Sequence, residues 1–128
     1  MQGYIINIEQ ETLNNNNFRK VLYTAKNSQL VVMSIAVGDD IGEEVHELDQ
    51  FIRIEQGNAK VILDGIESPL PADHAVVIPA GTRHNVVNIG DEFLKLYTIY
   101  SPPEHKDGTI QPAKADVTEE HFDGKTTE

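Results

Sequence analysis

The stretch GEEVHELDQ, Gly42 to Gln50, sets a carboxylate, an imidazole and an amide at a spacing that could hold a metal ion. Glu44 and His46 stand two apart, so on a strand their side chains share one side, and Gln50 follows four residues later. If that side is an interior, a buried carboxylate beside an imidazole needs a partner, and a cation is the obvious one. If it faces solvent, the same letters make an ordinary polar edge. The chain has no cysteine, which removes thiolate ligands, disulfides and a cysteine nucleophile and leaves His, Asp, Glu and amides as donors.

The elements that carry these residues decide between the two readings. Segments rich in Val, Ile, Leu and Tyr recur between turn signals at 18–24, 30–37, 50–55, 59–63, 75–79, 84–88 and 93–101. The separators KNSQ, GDDIG, QGN, LDGI, PAGT and NIGD supply the Gly, Asn and Asp of tight turns. This rhythm predicts an antiparallel sandwich or barrel with little helix. No segment repeats apolar positions at helical spacing, and Asn14 to Asn17 would make a poor helix interior. Ile52 and Ile54 share the parity of Gln50 and should line the inner wall, whereas Arg83 should point to the face opposite His84.

A chain of 128 residues is about one domain. No apolar run approaches the roughly 20 residues that span a bilayer, and the start MQGYIINIEQ has neither a basic leader nor an apolar stretch of signal-peptide length. The expectation is therefore a cytoplasmic protein. A formal charge of -11, with only 10 Lys and Arg, argues against nucleic acid and against anionic membranes as partners, leaving a small molecule. After Ser101 the chain turns polar, with seven acids against three lysines, and cannot carry its own core. The division expected is a barrel domain over 1–103 and an acidic extension over 104–128, solvated after Pro112, with Pro102 to Ile110 able to fold back over the barrel rim.

The later stretch PAGTRHNVVN completes the pattern. Pro79, Gly81, His84 and Asn88 match Pro-x-Gly-x-x-His-x-x-x-Asn, and together with GDDIGEEVHELDQFIRIEQG over 38–57 they resemble the two motifs of the cupin superfamily. The resemblance implies an all-β double-stranded β-helix, a jelly-roll barrel, with a polar C-terminal tail. In the first motif the family usually has His-x-His, then an acid, then six residues and a Gly. Aligned on Gly57, Glu44 stands for the first His, His46 for the second and Gln50 for the acid. A His has become an acid and an acid an amide, so the formal ligand charge is conserved. The resemblance thus implies that Glu44, His46, Gln50 and His84 hold a divalent transition metal: Mn, Fe, Ni or Zn. Two imidazoles with a carboxylate also resemble non-haem Fe(II) sites with open positions. Gln50 could instead bind a water on the ion, and Glu44 could be a free general base.

His105, in PPEHKDG, is either a solvated loop residue or a proton carrier brought over the barrel mouth. His74 and His121 carry no such argument, and Asn88, Gly57 and Gly81 read as structural. Small cupins of this kind are similar to mannose-6-phosphate isomerases. That implies a metal-dependent isomerase on a sugar-like or hydroxy-carbonyl compound, with Glu44 or His105 as base; no phosphate-binding cluster is present. A non-haem Fe(II) dioxygenase and a non-catalytic binding barrel are the alternatives. Cupins commonly pair, and the apolar segment GYIINI, Gly3 to Ile8, predicts a homodimer through an exchanged N-terminal strand.

Overall fold

The computed structural model describes residues 1–128. After helix α1 (Ile8–Asn14) come nine strands: β1 (Arg19–Thr24), β2 (Gln29–Ile35), β3 (Asp49–Gln56), β4 (Asn58–Leu63), β5 (Ile66–Pro71), β6 (Ala75–Ile78), β7 (His84–Asn88), β8 (Leu94–Ser101) and β9 (Ile110–Gln111). A six-stranded sheet runs β6-β3-β8-β2-β1-β9 and a three-stranded sheet β5-β4-β7, both antiparallel. Their inner faces share one core, so the fold is the expected all-β jelly roll. Strand parity sorts the side chains: on β3 Gln50, Ile52 and Ile54 are inward and buried, while Phe51, Arg53 and Glu55 are half-buried. Each such buried Ile contributes about 1.5–3 kcal/mol. The inward row of β3 therefore runs from apolar core to a polar end at Gln50.

Helix α1, strand β5 and the segment 3–8 depart from the strand rhythm. Helix α1 has a single buried residue, Thr12, and so no apolar stripe; the Asn7 side chain caps it by accepting from Gln10 N–H at 3.1 Å. It ends where the asparagine run begins, and Lys95 Nζ donates to the Asn15 carbonyl and, at 3.1 Å, to Asn16 Oδ1. Strand β5 is an edge strand with Pro69 and Pro71, mostly exposed, which hides it from a search for apolar runs. Its hairpin with β4 turns at Asp64 and Gly65, both at positive φ, as LDGI predicts. The segment 3–8 forms no strand within the chain; Tyr4 stacks on Tyr23 and Ile5 is fully exposed.

The C-terminal segment does not run free into solvent after Pro112. Strand β9 pairs with β1, placing Gln111 opposite Arg19, and Phe18 N–H donates to the Pro112 carbonyl at 3.1 Å. Beyond it Lys114 bridges Asp39 and Asp40, Phe122 N–H donates to the Glu104 carbonyl at 2.9 Å, and Thr127 N–H to the Thr24 carbonyl at 2.9 Å. The segment stays solvated, as its composition predicts, with no buried residue after Gln111; it is placed without a core of its own because β9 completes the edge of β1 and the rest is tied by backbone hydrogen bonds and ion pairs.

Gly57, between β3 and β4, has φ +98°, and a Cβ there would meet the Leu94 Cα at 3.3 Å. Gly57→Ala combines left-handed strain with that close approach and is expected to lower unfolding free energy by about 2 kcal/mol in urea titration. A change within error would remove Gly57 as a backbone requirement of the barrel.

Candidate metal centre

Backbone pairing brings the two motifs together. Residues 40–48 are not the strand expected; they touch the barrel through isolated bridges, of which Glu44–His84 is closed in both directions at 2.9 Å. Glu44 and His84 are thus neighbours by main chain, and Gln50 arrives at the end of β3 opposite Tyr100 on β8. Glu44, His46, Gln50 and His84 line one space of about 10 Å³, closed by Ile41, Ile52, Val86 and Tyr100. That is room for a single water-sized guest.

Each donor is held by a second contact. His84 Nδ1 lies 2.9 Å from the Thr82 carbonyl, which makes Nδ1 the N–H donor and leaves Nε2 a free lone pair. Gln50 Nε2 donates to Thr98 Oγ1 at 3.1 Å, and its Oε1 is buried without any partner. An orphaned buried carbonyl is costly, and a cation would satisfy it. Glu44 Oε2 and His46 Nε2 are 2.7 Å apart. Burial pushes the Glu44 carboxyl up, but the His46 hydrogen bond and the charges of His46, Arg19 and His84 outweigh it and hold it below the usual carboxylate range. Burial pushes His46 down, and the hydrogen bond and charge of Glu44, with Glu104, outweigh that and raise it. No three His, Asp or Glu side chains are placed to hold a metal ion as they stand, and Glu44 and His46 pair with each other. An ion would enter by displacing the proton they share. By type, a carboxylate, two imidazoles and an amide oxygen are donors that a divalent transition metal takes.

A second cavity of about 370 Å³ adjoins this space, Ile41 and Glu44 bordering both. His105 lies in its wall, so the rim-crossing arrangement is the one adopted. Gln29 fixes it, accepting from His105 N–H at 3.0 Å and donating to its carbonyl at 2.7 Å. The His105 ring stands edge-on to Tyr100, centroids 5.0 Å apart, with Nε2 buried and unpartnered. Burial, with the nearby Arg19 charge, lowers its pKa to about 3, so His105 is neutral at pH 7. Burial pushes the Tyr100 phenol up to about 12.

Most of this cavity's lining lies outside both motifs, Arg19, Glu104 and His121 among it. Glu104 links the tail to the centre, 3.0 Å from His121 Nδ1 and 3.8 Å from His46 Nδ1. Arg19 shares the inward parity of Val21 on β1, and a charged residue in a buried register was the readable clue. Asn88 is structural, its amide donating to the carbonyls of Ile35, Ala36 and Glu92, and Arg83 points outward toward Glu43. His74 is exposed at the surface.

This barrel, with its paired motifs meeting at one end, is matched over residues 31–100 by the family model described as Cupin domain, and the chain belongs to the cupin family. Within it the chain is similar to the uncharacterized protein YrkC of Bacillus subtilis, 46% identical over 121 residues, covering 89% of this chain and 65% of that protein. The uncharacterized protein L612 of Acanthamoeba polyphaga mimivirus is 44% identical over 115 residues, covering 85% of this chain and 71% of its own. Among solved structures, BH2720 from Bacillus halodurans superposes with a TM-score of 0.88 at 44% identity, covering 90% of this chain and 92% of that one.

Proposed function

We propose that the chain is a metal-dependent cupin enzyme that moves a proton on a small hydroxy-carbonyl compound, with Glu44, His46, Gln50 and His84 holding a divalent ion. The observation that carries this reading is the unpartnered Gln50 Oε1, buried among three other metal donors and beside a cavity of substrate size. A Mn, Fe, Ni or Zn ion held there would polarise a substrate carbonyl and hydroxyl. His105, neutral, lines the same cavity with its Nε2 buried and unpartnered, and Glu44 borders both spaces; we assign these two groups to carry the proton between adjacent substrate carbons. The clamp of Gln29 keeps the imidazole in place, and Tyr100, un-ionised, packs beneath it. A proton carrier at the mouth favours isomerisation over oxygenation, which needs the ion and no such base.

The test is incubation of metal-loaded protein in D2O, without oxygen, with small aldoses and hydroxy-ketones, reading deuterium incorporation by NMR. Incorporation that drops about 100-fold in His105→Asn, with metal content unchanged, supports the reading. Turnover that requires and consumes oxygen would overturn it in favour of a dioxygenase.

A further inference from the structure

Arg19 is the buried cation that the proposed chemistry leaves unused. Its side chain is 4% exposed, on a protein with 21 acidic residues, yet it takes part in none of the ion pairs of the chain. Nη1 donates to Gln111 Oε1 at 2.7 Å, the Phe18 ring lies 5.2 Å from the guanidinium carbon, and Nε has no partner at all. Its charge is felt by Glu44 and by the Tyr100 hydroxyl, but no carboxylate closes an ion pair with it, so its place in the wall of a 370 Å³ cavity needs a reason. The planar fork of the guanidinium matches a carboxylate, and its Nε is left without a partner in this wall. Glu104, Glu119 and Glu120 line the cavity too and would repel a second negative charge.

We propose that Arg19 is the carboxylate-binding residue of this cavity, so that the substrate is a small monocarboxylic hydroxy- or oxo-acid and not a neutral or phosphorylated sugar. The hydroxy or oxo end rests on the metal-centre reading above; the carboxylate end does not.

Calorimetric titration of metal-loaded protein with glycolate, lactate and 3-hydroxybutyrate, each against its uncharged amide, tests this. The acids are expected to bind tighter by about tenfold or more, the difference made by a charge-assisted pair. Arg19→Gln should abolish the preference while retaining the metal, and Arg19→Lys should restore part of it. Should the variants misfold, EDTA-treated wild type answers the same question: a preference borne by arginine persists without the ion. Equal binding of acid and amide, no binding of any acid, or a preference that survives Arg19→Gln or vanishes with the ion would each overturn the subsite. A preference that depends on Arg19 in a protein that binds no metal would uphold the subsite and remove the metal-centre reading instead.

Discussion

Tag-free protein purified without added metal is expected to carry about one equivalent of Mn, Fe, Ni or Zn, and His84→Ala less than about a tenth of that by elemental analysis. His84 is held by its side chain and its backbone together. It is 6% exposed, its Nδ1 is committed to the Thr82 carbonyl, and its backbone is locked to Glu44 in both directions. The free Nε2 therefore has a fixed direction, and truncation removes that nitrogen from the site. Backbone pairing survives the substitution, so the barrel should stay folded and metal loss should be local. Gln50→Leu provides the graded comparison. It deletes the orphaned oxygen, relieves an unsatisfied polar group and should leave three donors, with affinity reduced roughly 10- to 100-fold and not abolished. Full occupancy in His84→Ala would remove that residue from the ligand set. No metal in any variant or in the wild type, even after anaerobic reconstitution, would end the enzyme reading and leave a barrel that binds something else.

The barrel was legible because its strands alternate cleanly and its turns carry the residues that turns require. Seven of the nine strands follow from that rhythm. The two that do not, β5 and β9, are held by backbone pairing and by their position at an edge, and neither leaves a mark in hydrophobic periodicity. The same cause hides the path of the C-terminal segment. At the centre, the side chains were legible by type and spacing, but the reason they meet was not. Glu44 and His46 share a space because an isolated bridge ties Glu44 to His84, a contact between residues 40 apart in the chain that no local pattern encodes. Gln50, on a regular strand, came from the motif aligned on Gly57, and parity placed Ile52 and Ile54 on its side of the strand. Arg19 shows the opposite failure: its inward register was readable, yet a search for clusters of basic residues passes over a single buried one.

Acid should destabilise the protein through His105 well before its carboxylates protonate. Burial holds the folded pKa of this imidazole at about 3, against an ordinary 6.5 in the unfolded chain. Between those values the unfolded state binds the proton and the folded state does not, so stability falls as pH drops below 6.5 and the loss grows until pH 3. At pH 4.5 the cost for a fully realised shift is about 2.5 kcal/mol relative to pH 7.5. His46 works against it: its raised pKa means that the folded state holds a proton more tightly, a gain present below 6.5 and lost as pH rises through the folded value. Wild type alone therefore reports a sum. The separation comes from His105→Gln, which keeps a polar side chain in the cavity wall but cannot titrate. Urea unfolding of both proteins at pH 7.5 and 4.5, in EDTA so that metal release does not contribute, should show wild type losing about 2 kcal/mol more than the variant on acidification. Parallel losses would mean that the imidazole is hydrated or reoriented when it protonates, and a His105 able to accept a proton from solvent so readily would be a stronger base than its buried geometry implies.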